Sequence, residues 1–267
     1  MSIPTPTTTT HNPHHSNKML PSGPPTEQEI KKIARRTTDI IKSCMTLDVC
    51  LFGSAASALW ADIGRVPNVR RATLALSIPV FFRLKMPCTQ TQDVDIVVFG
   101  YSNAENIKEM IDGADERYYR ELSKKPGKTH HILYCRLPGW STDSDRRVKV
   151  DILVPPTLKL PEITYTDVFL FGDIPVMPLF DLLVMKTQGW WDHFNSRRSD
   201  FQAKLVDDVT DVLALLDRAK EEDVSFEEEA NEYRHTEEFM SHALALANRF
   251  VSAHDRHQKW RDLEFPL

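Results

Sequence analysis

The chain has 267 residues, 41% of them apolar, and a formal net charge of −5, enough for one large domain or two small ones. With a pI near 6.1, overall charge cannot drive nucleic-acid binding, which leaves only a local basic patch for that role. Cys44, Cys50, Cys88 and Cys135 show no CxxC spacing, which excludes a zinc motif and a disulfide framework and suggests reduced thiols in an intracellular protein of the cytoplasm or nucleus. No apolar run approaches the roughly 18–20 residues of a membrane span, and no secretory h-region opens the chain, so no membrane partner is expected.

Residues 1–25 mix Thr, Pro, His and Ser with few large apolar side chains, and they are expected to form a disordered tail. His11, His14 and His15 reflect that compositional bias more than a metal site. Thr26-Glu27-Gln28-Glu29 has the form of a capping box and opens a helix with Ile30, Ile33, Ala34, Ile40 and Ile41 near helical spacing. Leu47 to Phe52 reads as a strand that runs into Gly53-Ser54 and an Ala-rich helix. Small residues at such a turn let the backbone approach a ligand, and a new helix offers N–H groups to a phosphate. Any strand-to-helix turn can carry Gly-Ser, so this feature needs company.

The company is acidic. Asp93-Val94-Asp95-Ile96-Val97-Val98-Phe99 is a buried-type strand with two carboxylates at its start. Alternation puts both on one face, roughly 6.5–7 Å apart at about 3.3 Å of rise per residue. Such neighbours raise each other's pKa unless a cation lies between them, and Mg2+ or Mn2+, held by one or two carboxylates with substrate phosphates, fits. A second apolar strand, Arg147 to Val154, carries Asp151. A lone buried acid must be paired, protonated or metal-bound, and Arg147 or Lys149 are the local partners available.

Between these strands, Asn103 to Ile111 predicts a helix and Thr129 to Leu137 a strand. Lys124, Lys125 and Lys128 sit in a loop, either simply solvated or facing phosphate or RNA. At most one of His130 and His131 points inward. Gly139 to Arg146 is a polar loop. After Pro155-Pro156 the chain turns helical, with helices expected over Phe180 to Trp191, Phe201 to Ala219 and Arg234 to His254, and an acidic linker plus helix over Glu221 to Glu232. Trp190 and Trp191 are read as core more readily than as base-stacking residues. Asp208 and Asp211 share a helix face, solvated or orienting Lys186 or Lys204. The C-terminal histidines carry no metal-motif spacing and are expected at the surface.

Taken in order, Gly53-Ser54, Asp93-Val94-Asp95, Asp151, Lys186 and the Lys204…Asp208-Val209-Thr210-Asp211 helix resemble the nucleotidyltransferase superfamily related to DNA polymerase β. The chain looks like a group of fungal nucleotidyltransferase-like proteins within it and, more distantly, like abortive-infection type nucleotidyltransferase toxins. The resemblance spans roughly 47–216. It implies an α/β (α+β) fold, a mixed sheet flanked by helices over 26–156 and a mainly helical portion over 157–267. It further implies Asp93, Asp95 and Asp151 as catalytic and metal-binding residues, with Gly53, Ser54, Arg65, Lys186 and Lys204 toward a nucleoside triphosphate. The acceptor, whether RNA, protein or small molecule, is left open, as is a non-catalytic member that only binds.

One departure stands out. In the family Asp-x-Asp follows Gly-Ser closely, within Arg-x-Pro-Asn-Asp-Val-Asp-Ile-Val, whereas here residues 55–92 intervene. Removing Val69 to Gln92 joins Arg65-Val66-Pro67-Asn68 to Asp93-Val94-Asp95-Ile96-Val97 and restores that text. Valine codons begin GT and one glutamine codon is CAG, the usual ends of a spliceosomal intron. The segment is therefore read as a translated, unspliced intron, the alternative being a lineage-specific loop.

Overall fold

The computed structural model describes residues 23–62, 93–125, 127–139, 146–155, 159–161 and 163–267. The expected tail, apart from its last three residues, the Val69–Gln92 segment up to its junction with Asp93, and Arg65 lie outside the described residues.

The elements follow as α1 (Glu27–Met45), β1 (Val49–Phe52), α2 (Gly53–Asp62), β2 (Asp93–Val98), α3 (Ala104–Ala114), β3 (Tyr118–Leu122), β4 (His131–Arg136) and β5 (Arg147–Leu153). After them come β6 (Phe169–Phe171), β7 (Ile174–Val176), α4 (Leu179–Phe194), α5 (Ser199–Gln202), α6 (Leu205–Glu221), α7 (Phe226–Ala230), α8 (Glu237–His254) and α9 (His257–Arg261). The strands form one mixed sheet in the order β3-β4-β5-β2-β1-β7-β6. β2 runs parallel to β5 and antiparallel to β1.

Alternation along the strands divides the sheet into two unlike faces. Val94, Ile96, Val148, Val150 and Leu133 are fully buried on one, under α1 and α3. Thr37 of α1 hydrogen-bonds the Tyr118 hydroxyl at 2.8 Å, and Lys108 of α3 donates to the His131 carbonyl at 2.7 Å. The other face carries Asp93, Asp95 and Asp151. Over β1 and β2 it is covered by α2, with α4 and α6 packed on α2, and Trp60 of α2 donates to the Met177 carbonyl at 3.1 Å. One continuous core runs from α1 through the sheet into α4, α6 and α8.

The local signals behave as physics demands. The capping box forms, with Thr26 N–H donating to Glu29 Oε2 at 2.8 Å and Glu29 N–H to Thr26 Oγ1 at 3.3 Å. Asn103 caps α3 by accepting from the amides of Glu105 and Asn106. Three differences from the sequence reading have physical causes. The helix expected over Phe201 to Ala219 is two, because the Gln202 side chain turns back to donate to the carbonyls of His193 (3.1 Å) and Ser196 (2.6 Å), tying α5 to the end of α4. The short β3 pairs with β4, and β6 and β7, where the chain was expected to have turned helical, form a tight hairpin that β7 attaches to β1. His235, expected at the surface, is buried: its Nε2 meets Asp181 Oδ1 at 2.7 Å, a partner 54 residues away. Among the described residues no helix is long and apolar enough to cross a membrane.

Candidate active site

β1, β2 and β5 lie side by side in the middle of the sheet, and their registers bring the acids together. Asp95 is paired with Asp151 across the parallel β2–β5 ladder and with Phe52 across β1. Register partners on adjacent strands lie about 4.8 Å apart, so the two carboxylates leave the sheet as neighbours, with Asp93 two residues back on the same face.

Their electrostatics are unbalanced. Burial pushes the Asp95 carboxyl up to about 7, and Asp151 and Asp93 push it the same way while Lys149 and Lys186 oppose. Asp93 is raised by burial and by Asp151, against the pull of Lys149 and Lys204. Asp151 leans on Lys149, its neighbour on the same strand face. Among the described residues no group of three or more acids, histidines or cysteines is closed around a metal-sized point.

Gly53 presses against this cluster. Its φ is +67°, in the left-handed region that glycine enters without strain, and a Cβ there would lie 2.3 Å from Asp95 Oδ2. The next residue ties the turn to the helical half: Lys186 Nζ donates to Ser54 Oγ at 3.1 Å and pairs with Asp211 Oδ2 at 2.7 Å, while Ser54 Oγ donates to that same oxygen at 3.2 Å. Lys186 and Asp211 come from α4 and α6 and are almost wholly buried. The first turn of α2 holds no acidic side chain of its own, and the carboxylates beside it, Asp95 and Asp211, come from β2 and α6.

Lys204 stands exposed at the start of α6, close enough to Asp93 to lower its pKa. The structure thus brings Gly53, Ser54, Asp93, Asp95, Asp151, Lys186 and Lys204 close to one another, and Arg65 falls outside the described residues. Trp190 is fully buried, packed on Phe250. Trp191 stacks on Phe194 with Arg249 over its ring.

Of the two local partners the sequence offered Asp151, the structure uses Lys149, at i, i+2 on the same strand face, while Arg147 turns to Glu121. Sequence reading missed His193, which meets Asp208 at 2.6 Å through contacts between α4 and α6 that no local spacing announces.

The donor set fits a divalent cation: oxygen ligands only, two of them destabilised by burial and then by their acidic neighbours, beside a helix start able to take phosphates. It is not a finished cage, since Lys149 must leave Asp151 first.

No protein-family model matches the sequence, and no curated protein does. Among solved structures the chain is similar to JHP933 from Helicobacter pylori, with 12% identity over 88% of this chain and 96% of that one and a TM-score of 0.37. It is also similar to a provisionally assigned nucleotidyltransferase from H. pylori, with 12% identity over 88% of this chain and 99% of that one and a TM-score of 0.31. Likenesses this distant say nothing about chemistry.

Proposed function

We propose that the chain is a metal-dependent nucleotidyltransferase of the polymerase β-like type, moving a nucleoside monophosphate from a nucleoside triphosphate to an acceptor hydroxyl. The supporting observation is the seating of Gly53 against Asp95, which puts a helix N-terminus directly beside a pair of destabilised carboxylates. Mg2+ or Mn2+ held by Asp93, Asp95 and Asp151 would stabilise the charge that develops on the attacking and leaving oxygens.

The chain's own groups supply the rest. The α2 amides and the Ser54 hydroxyl receive the β- and γ-phosphates. Lys186, already hydrogen-bonded to Ser54, adds a positive charge on the leaving-group side, and Lys204 adds another at the rim. Asp151 accepts the proton of the acceptor hydroxyl as the new oxygen–phosphorus bond forms; the bond between the α-phosphorus and the bridging oxygen breaks, and pyrophosphate departs.

A second reading has its own observation. The Lys149–Asp151 pair already neutralises one acid, which favours a module that binds nucleotide without turnover.

Transfer of label from α-phosphate-labelled nucleoside triphosphates to total RNA and protein separates the two. The chain as it stands and a form lacking Val69 to Gln92 are assayed side by side, each with its Asp95→Asn control. Label that requires Asp95 in either form supports the enzyme, and label only from the shortened form supports the intron reading. Metal-dependent nucleotide binding with no label from either form supports the binding module instead.

A further inference from the structure

The open part of the acid-bearing sheet face carries a ladder that the transfer chemistry does not use. Lys149 is paired across the sheet with Tyr134, Tyr134 with Tyr119, and Arg147 with Arg136. All five side chains therefore share the face of Asp151, and each is partly exposed. Tyr119 and Tyr134 are stacked, with centroids 5.7 Å apart and planes at 27°. The Arg147 guanidinium lies 4.0 Å from the Tyr134 ring centroid and that of Arg136 lies 4.3 Å from Tyr119. Arg147 is fixed further by the Tyr119 hydroxyl at 2.9 Å and Glu121 at 2.7 Å. Among the described helices, α3 is the one that packs substantially on β3 and β4, and it lies on the opposite face.

From these placements we infer that the β3–β4–β5 face is a platform for an unpaired nucleic-acid strand. Interleaved aromatic and guanidinium planes stack bases regardless of sequence, and cations beside them track the phosphates. On this face Arg136, Arg147 and Lys149 stand against Glu121 and Asp151, with Lys149 paired to Asp151 and Arg147 to Glu121, so the excess of cations comes mainly from the turn beside them. The exposed Lys124, Lys125 and Lys128 line the turn that joins β3 to β4. In a chain of net charge −5 that is a local concentration of positive charge, complementary to a polyanion, and the tyrosine and guanidinium planes beside it favour a polyanion that carries bases over an acidic protein surface.

The platform runs from the sheet edge to Asp151, on the side of the acids away from Ser54 and Lys186. An in-line displacement brings its nucleophile from the side opposite the leaving group. A strand lying here therefore has its terminal hydroxyl at Asp151, and that clause alone rests on the transferase reading.

The test is binding without chemistry. Fluorescence anisotropy of a labelled mixed-sequence 12-nucleotide single strand, as RNA and as DNA, is measured with the full-length Asp95→Asn chain at low salt, without nucleotide or divalent metal. Saturable binding of either single strand is expected, at least about tenfold tighter than the matching duplex. Tyr119→Leu with Tyr134→Leu weakens it about tenfold or more, while Tyr134→Phe binds like the parent. Replacing the three turn lysines by Gln makes the log–log salt slope about 2 units shallower. Preference between RNA and DNA reports the natural source of the strand.

No binding at low salt, unchanged binding by the leucine variant with an unchanged melting temperature, or equal binding of duplex or of poly-glutamate would overturn the platform. Because no transfer is measured, an inactive enzyme leaves this result standing, and a failed platform leaves the transferase reading untouched.

Discussion

Two clusters of charge lie on either side of α4, and they are built on opposite plans. At the helix start, Asp181 is fully buried yet satisfied on both oxygens, taking His235 Nε2 at 2.7 Å and Arg234 Nε at 3.3 Å. Arg234 reaches on to Glu229 at 2.8 Å, and the second His235 nitrogen meets the Glu229 carbonyl at 2.7 Å. Further down the same helix, Lys186 meets Ser54, beside which Asp95 lies between Asp93 and Asp151. Among the described residues the Asp95 carboxylate has no hydrogen-bond donor. A buried charge with fitted partners holds elements together, whereas carboxylates gathered without partners store a demand for a cation. The first cluster is therefore read as structural and the second as functional.

The largest test of that division exchanges one acid from each cluster. Asp95→Asn is expected to abolish transfer while leaving the urea midpoint unchanged or higher, because it removes a charge that the fold does not compensate. Asp181→Asn is expected to cost about 3–5 kcal/mol, since it strands Arg234 and His235 inside the protein, with any activity of the surviving folded fraction near normal. Equal destabilisation by both would erase the distinction. A smaller effect is expected from Gly53→Ala. Positive φ alone costs of the order of 1–3 kcal/mol for a residue with a Cβ, and the methyl group must also displace Asp95. Transfer should fall further than stability does, and full activity with a lowered melting point would show that the Gly53–Asp95 contact is only a fold constraint.

The same division explains what could be read before the structure. β1, β2 and β5 were legible because each is a run of apolar residues, and their acids were legible because a carboxylate inside such a run needs a reason to be there. The turn at Gly53 was legible as a permissive spot, but not its cause, since the contact with Asp95 crosses residues 54–94. Lys186 and Asp211 could be proposed as partners only through the resemblance. The structural cluster was illegible: Asp181, Glu229, Arg234 and His235 each look like ordinary surface residues, and only their meeting across α4, α7 and the segment leading into α8 buries Asp181 and His235 and leaves Glu229 and Arg234 half-buried. The stacked tyrosines failed for a similar reason. Tyr119 sits in a strand of five residues whose pairing with β4 is set by the turn between them and not by its own composition.

The finest test uses pH, because both clusters hold an acid displaced to about 7. Burial raises Glu229, helped by Asp181 and opposed by Arg234 and His235, and burial with two neighbouring acids raises Asp95. For each, the folded state keeps its proton between the unfolded value near 4 and about 7, while the unfolded chain has lost it. Stability contributed by these groups is thus fully present at low pH and declines as pH rises to about 7. Glu229→Gln should flatten part of that decline and leave any magnesium response as it was. Magnesium should act on the other part alone. If a tenfold excess over Kd adds about 1.4 kcal/mol at pH 8, protonation of Asp95 at pH 6 weakens binding about tenfold and reduces the gain to about 0.4 kcal/mol. Thermal melts with and without magnesium at the two pH values measure it. The Asp95→Asn chain should show no pH-dependent gain, and a gain of the same size at both pH values would place the cation somewhere other than beside Asp95.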